Sequence, residues 1–169
     1  MLVFRIIHIA SGILWVGSAV FFAAFVGPTA EALGPEGGRF VLHLIRRRKA
    51  VLFFLVVSTL TAVAGGFLYW RDSGRLDVDW MQTSFGTGLT IGAVAGLISW
   101  LIVMGVLAPT SYRIAGLGER IAAGGGPPSH EQMTRLETLQ SRLKRFSLVN
   151  VVFLAIAVLA MSTARYLAF

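Results

Sequence analysis

Residues 3–26 read VFRIIHIASGILWVGSAVFFAAFV, an apolar run in which only Arg5 and His8 are ionisable. A helix that crosses the hydrocarbon core of a bilayer needs about 20 consecutive, mostly apolar residues. This run is long enough, and so are residues 51–70, 85–107 and 148–167. Together they account for a composition of 56% hydrophobic and 14% charged residues, with mean hydropathy +0.75. A soluble domain carries about 25% charged residues. The deficit predicts an all-α, polytopic membrane protein: a four-transmembrane-helix bundle forming one domain over residues 1–169. A secretory leader is the other reading of the first run, with Arg5 as its basic region and Thr29-Ala30-Glu31-Ala32 as a loose cleavage site. The apolar stretch after His8 reaches about 18 residues, longer than a leader's apolar core, so a retained helix is expected.

The net charge of +7 is unevenly placed. The segment between the first two runs holds Arg39, Arg46, Arg47, Arg48 and Lys49; that between the last two holds Arg113, Arg120, Arg135, Arg142, Lys144 and Arg145. The middle segment sets Arg71 and Arg75 against Asp72, Asp77 and Asp79. Eleven of the fifteen Lys and Arg residues therefore lie on one side, and the positive-inside rule puts that side in the cytoplasm and both termini outside. Residues 46–49 read either as a plain determinant of orientation or as a patch for anionic lipid or a protein partner. Orientation accounts for the basic residues, so nucleic acid is not an expected partner. With no cysteine, disulfides, thiolate metal sites and iron–sulfur clusters are excluded.

The runs pair into two hairpins. Gly27-Pro28 and Gly34-Pro35 are expected to break the chain after the first run, and residues 40–45 to form an amphipathic lead-in to the second. Gly124-Gly125-Gly126-Pro127-Pro128 marks a turn, and Ser129 with Gln132 forms a capping box opening a helix without a breaker. Leu136, Leu139, Leu143 and Phe146 line its early turns and face Ile114, Leu117 and Ile121, predicting a short coiled hairpin beyond the bilayer. Pro109 is placed to kink the third helix at its base. Gly88, Gly92 and Gly96 form a small-residue face, with Gly65-Gly66, Gly12 and Gly17 on the other runs.

His8 is the sharpest functional signal, because an ionisable group inside hydrocarbon is expensive. It lies in the pattern His8-x3-Gly12-x2-Trp15-x-Gly17, about 9 Å inside the outer boundary at 1.5 Å per residue. Met161 sits at similar depth on the last run; Arg5 and Arg165 are about a turn nearer the surface, with Tyr69, Trp70 and Tyr166 at the interface. An imidazole, a thioether, two guanidinium groups and glycines that leave flat space are an inventory suited to haem b. His8 and Met161 would also serve Cu(I), as a sparse donor set. The bland alternatives are an interhelical hydrogen bond for His8, packing for Met161, and snorkelling for the arginines. His43 and His130 fall outside the apolar runs. No Asp or Glu lies within them, which argues against a carboxylate proton relay, and Ser99 and Asn150 read as isolated polar residues.

The first-helix pattern, with Phe21 and Phe22, resembles the opening helix of a bacterial superfamily that includes the copper-resistance protein D family, the HemJ-type protoporphyrinogen oxidases and the membrane part of certain urate oxidases. Met161-Ser162-Thr163-Ala164-Arg165-Tyr166 is similar to the last helix of its uncharacterised members, as is the region between Pro109 and Pro128. The resemblance implies a four-helix core in the inner membrane and, by analogy with the HemJ-type members, haem b on the first-helix histidine, here His8. Those oxidases also use a lysine in the third helix. Residues 85–107 contain none, a departure that separates this chain from their catalysis. The expected function is therefore a haem-b-binding, redox-associated membrane protein. The alternatives are a non-catalytic accessory subunit packed against a larger membrane complex or a second copy of itself, and a copper-handling protein.

Overall fold

The computed structural model describes residues 1–166; Leu167, the expected end of the fourth run, lies outside them. The described residues form helices and no strand: α1 (Leu2–Ala32), α2 (Pro35–Arg46), α3 (Ala50–Asp72), α4 (Val78–Gln82), α5 (Ser84–Ala123) and α6 (His130–Tyr166). Helices α1, α3, α5 and α6 are each long and apolar enough to cross a membrane, with mean hydropathy of 2.1 to 2.3 over their best windows. α1 packs chiefly on α3 and α5 chiefly on α6, and the two hairpins meet through α3 with α5 and α1 with α6.

The packing is inverted relative to a water-soluble bundle. Large aliphatic and aromatic side chains face outward, among them Ile9, Ile13, Phe21, Phe53, Val63, Leu101 and Leu159. The interior is built from Trp15, Ala19, Val57, Val103 and Leu154, one or two from each long helix. It also holds the hydroxyls of Ser11, Ser58, Thr61 and Ser99 and the amide of Asn150. Ser99 and Asn150 are not isolated: Ser99 Oγ donates to Asn150 Oδ1 at 2.6 Å in the buried α5–α6 seam. Antiparallel packing brings together two residues that stand far apart in the chain, and no local pattern announces the pair. Trp100 Nε1 similarly donates to Thr59 Oγ1 at 3.2 Å between α5 and α3. Such interhelical bonds contribute about 0.6 kcal/mol each in membrane proteins, enough to select a register but not to hold the bundle.

The expected break at Gly27-Pro28 does not occur. α1 runs on to Ala32, because residues Phe22–Val26 form a π turn in which Gly27 N–H reaches Phe22 O. α5 passes Pro109 in the same way, through a π turn at Val103–Leu107 that gives Ala108 N–H to Val103 O. A proline removes one helical donor and pushes its ring at the carbonyl four residues back; a wider turn placed just before it relieves both. The two sites are similar in sequence, Val26-Gly27-Pro28-Thr29 and Leu107-Ala108-Pro109-Thr110: an aliphatic residue, a small residue and Pro-Thr. Equivalent helices of the two hairpins thus use one device at equivalent positions.

The chain breaks only at the second expected position, Gly34-Pro35, where Gly34 has φ +54. α2 follows as a separate helix rather than a lead-in, ended by a turn in which Lys49 adopts φ +56 and ψ +33. Its inner side, Val41, Leu42 and Ile45, packs on Val51 of α3 and on Ala108 and Ala115 of α5. Below this level the lower half of α5 packs on the first turns of α6, as the spacing predicts. Leu117 is buried, and Leu136, Leu139, Leu143 and Phe146 form one half-buried face. The Ser129 capping box closes in both directions. Two ion pairs tie the hairpins together at this basic end: Arg46 Nη2 donates to Glu119 Oε2 at 2.8 Å, and Lys144 Nζ to Glu31 Oε2 at 2.9 Å. Arg46 Nε lies 2.7 Å from Glu119 Oε1 but is bent out of line for a second hydrogen bond.

Candidate functional site

One face of α1 meets α3 along a polar seam. His8, Ser11, Gly12 and Trp15 follow at helical spacing, and Thr61 of α3 faces the middle of the row. Thr61 is engaged twice. Its carbonyl lies 2.9 Å from His8 Nδ1. Its hydroxyl lies 2.9 Å from Ser11 Oγ and 2.7 Å from Val57 O, and its one proton is shared between them. Ser11 in turn donates to Ile7 O. Sequence spacing singled out His8 and passed over Ser11 and Thr61. A hydroxyl four residues before Gly65, on the helix beside His8, was the available signal.

The Thr61 contact settles the chemistry of the imidazole. A backbone carbonyl only accepts, so Nδ1 carries the proton and, in the neutral ring, Nε2 is left with its lone pair. The ring lies in a notch made by Gly65, with Nδ1 and Cε1 nearest to it. A Cβ at that position would stand 2.6 Å from His8 Cε1 and 2.7 Å from Nδ1, but 3.6 Å from Nε2. Nε2 has no hydrogen-bond partner among the described residues. A ring N–H held by a backbone carbonyl with the opposite nitrogen free is the support that metal-bound histidines commonly have.

The other candidates are placed as follows. Met161 fills a second glycine notch on a different helix: a Cβ on Gly92 of α5 would meet Met161 Cγ at 2.5 Å and Cε at 3.3 Å. His8 and Met161 thus rest against different helices, each in its own notch, and Gly66 and Gly96 have open space where a side chain would go. Arg5 Nη2 lies 3.8 Å from Asp72 Oδ2, a well-exposed pair of little energetic weight. Arg165 is exposed in the last turn of α6 and has no ion-pair partner among the described residues. Tyr69 hydrogen-bonds Thr90 Oγ1 at 2.6 Å; since Thr90 donates to Gly86 O, the phenol is the donor. Trp70 and Tyr166 are exposed, as are His43 and His130.

Of the groups that would hold a haem b, the structure offers one imidazole nitrogen without a partner, His8 Nε2, with the cations of Arg5 and Arg165 at the same end of the bundle. Met161 is engaged with Gly92, and the Gly65 notch is filled by the His8 ring. An apolar groove of about 300 Å³ between α5 and α6 is lined by Ile91, Val94, Ala95, Ile98, Phe153 and Ile156, and not by His8. Among the described residues no three His, Asp or Glu side chains gather to hold a metal ion by themselves. Comparison with protein-family models, curated proteins and solved structures returned no match to this chain.

Gly65→Ala tests the notch. The new methyl group overlaps the imidazole, so the ring must leave Thr61 O, with an expected loss of about 1–3 kcal/mol of stability. Gly66→Ala, with nothing within 4 Å of the new atom, is expected to be neutral or slightly stabilising through helix propensity. Ring ¹⁵N shifts of labelled histidine should report the Nδ1–H tautomer for His8 in the wild type and in Gly66→Ala, but not in Gly65→Ala. An Nε2–H tautomer in the wild type contradicts the assignment.

Proposed function

We propose that the protein is a four-span inner-membrane protein that binds haem b through His8 and takes part in electron transfer. The observation that carries the reading is the His8 Nδ1–Thr61 O hydrogen bond of 2.9 Å, which engages Nδ1 and leaves Nε2 without a partner among the described residues. Membrane insertion is supported by the outward-facing aliphatic and aromatic residues on all four long helices, since soluble monomers rarely expose contiguous apolar patches beyond a few hundred Å². The basic segments at the α2 end support a cytoplasmic placement of that end, with both termini outside. Bound haem b supplies one-electron redox chemistry. The chain's own part is to hold the iron ligand: Thr61 fixes the tautomer, Gly65 admits the ring, and Arg5 and Arg165 attract negative charge at the mouth. Copper handling draws less support, because the two soft-metal donors occupy separate notches.

Orientation is tested with reporter fusions. One joined after Phe169 is expected to be active only outside the cytoplasm, and one inserted at Gly125 only within it; the reverse pattern overturns the placement. The ligand is tested by His8→Ala, which should remove the haem spectrum while the protein still inserts, because one half-buried imidazole is a small part of the packing of four helices. Met161→Ala separates two roles. Loss of a sixth ligand would lower the reduction potential or turn the iron high-spin. Loss of packing at Gly92 would leave the spectrum unchanged and cost about 1–2 kcal/mol, given that the side chain is only half-buried. Cofactor content, spectrum and partner association all unchanged in His8→Ala would refute the haem reading and favour the accessory-subunit role.

A further inference from the structure

We infer that the turn joining α2 to α3 is a binding surface for the headgroups of anionic phospholipids. It carries four successive cations, Arg46, Arg47, Arg48 and Lys49, and the structure divides them. Arg46 is half-buried and committed to Glu119 of α5. Arg47, Arg48 and Lys49 are exposed, and none has a carboxylate partner among the described residues.

Covalent continuity fixes their depth. Lys49 immediately precedes Ala50, where the apolar helix α3 begins, so the three cations lie at the edge of the segment read as a span. That edge is the level of the lipid phosphates. The backbone there is ordered, not a loose tail. Arg47 N–H and Arg48 N–H both donate to His43 O, at 2.9 and 3.2 Å, and Phe53 N–H donates to Lys49 O at 3.0 Å. Lys49 itself is held left-handed at φ +56. Binding therefore has to order only the side chains, not the chain that carries them.

α2 supplies an apolar contact beside the charges. Its inner side is docked on α3 and α5, while Phe40 is 51% exposed on the outer side. His43 and Arg47 follow Phe40 three and seven residues on, hence on the same face. An exposed aromatic ring on the same face as an arginine, next to the start of an apolar span, is the arrangement of a helix lying at the membrane surface. Orientation alone calls for positive charge anywhere in the loop. It does not call for three unpaired cations on ordered backbone at the hydrocarbon edge. The inference depends on α3 being a span and is independent of haem.

The test uses the full-length protein in detergent, titrated with phosphatidylglycerol or phosphatidylcholine and read by native mass spectrometry, so that orientation plays no part. Each basic residue at a membrane surface contributes about 1 kcal/mol. The preference for phosphatidylglycerol is therefore expected to fall about fivefold for R48Q alone and roughly a hundredfold for R47Q/R48Q/K49Q. R113Q/R120Q, on the part of α5 beyond the span, should retain the wild-type preference. If the triple variant does not fold, the fivefold change in R48Q decides. A wild type without preference, or a triple or R48Q variant with an undiminished one, overturns the proposal. So does displacement of the lipid by inorganic phosphate at equal concentration, which would identify a site for free anions.

Discussion

Thr61 touches α1 through both its polar groups, the carbonyl reaching His8 and the hydroxyl reaching Ser11. The two bonds together are worth on the order of 1 kcal/mol in an apolar environment, small beside the packing of four long helices. Their importance lies in register. A slip of one residue turns a helix face by about 100°, and His8 would then point away from α3 with its N–H unpaired in surroundings where an unpaired donor costs about 1–3 kcal/mol. The seam therefore fixes which face of α1 meets α3, and with it the position of Trp15 in the shared core one turn below Ser11. Trp15 Nε1 is buried without an acceptor among the described residues. That cost is borne by a side chain that is the largest member of the core cluster shared by all four long helices.

The same economy appears on the other hairpin. α5 and α6 are registered by the Ser99–Asn150 bond and by Met161 seated on Gly92. At the basic end the register is set by the part-exposed pair Arg46–Glu119 and the exposed pair Lys144–Glu31, of the kind that contribute about 1 kcal/mol or less each. Apolar contacts hold the helices together, and a few directional contacts decide how they are aligned. The paired π turns before Pro28 and Pro109 add continuity: they let α1 and α5 pass a residue that would otherwise end them.

Much of the fold was legible from the order of apolar and basic segments. All four long helices fall where the runs of residues 3–26, 51–70, 85–107 and 148–167 placed them, because an apolar run of that length has few alternatives. The Ser129 capping box and the Leu136–Phe146 face were legible for the same local reason: cap and spacing lie within one helix. Gly27-Pro28 misled, because Gly-Pro reads as a break, as it is at Gly34-Pro35, and the relief supplied by a five-residue π turn leaves no mark in composition. Ser99, Asn150, Ser11 and Thr61 misled differently. Each is unremarkable by itself, and their partners lie about fifty residues away in sequence, on another helix. His8 was legible as a residue but not as a tautomer, which depends on a carbonyl that every residue possesses. Met161 was singled out by its expected depth, and depth carries no information on which helix a side chain rests against: His8 and Met161 sit in notches on different helices.

We propose that His8, held through Nδ1 by the Thr61 carbonyl, carries a haem iron. The most direct test is the visible spectrum of the wild-type protein, purified in mild detergent from cells supplied with iron and haem precursor, recorded oxidised and then reduced. A Soret band that shifts on reduction, at one haem per chain or per pair of chains, is the expected result. A colourless preparation that stays folded and gains no such spectrum when haem b is added would contradict it.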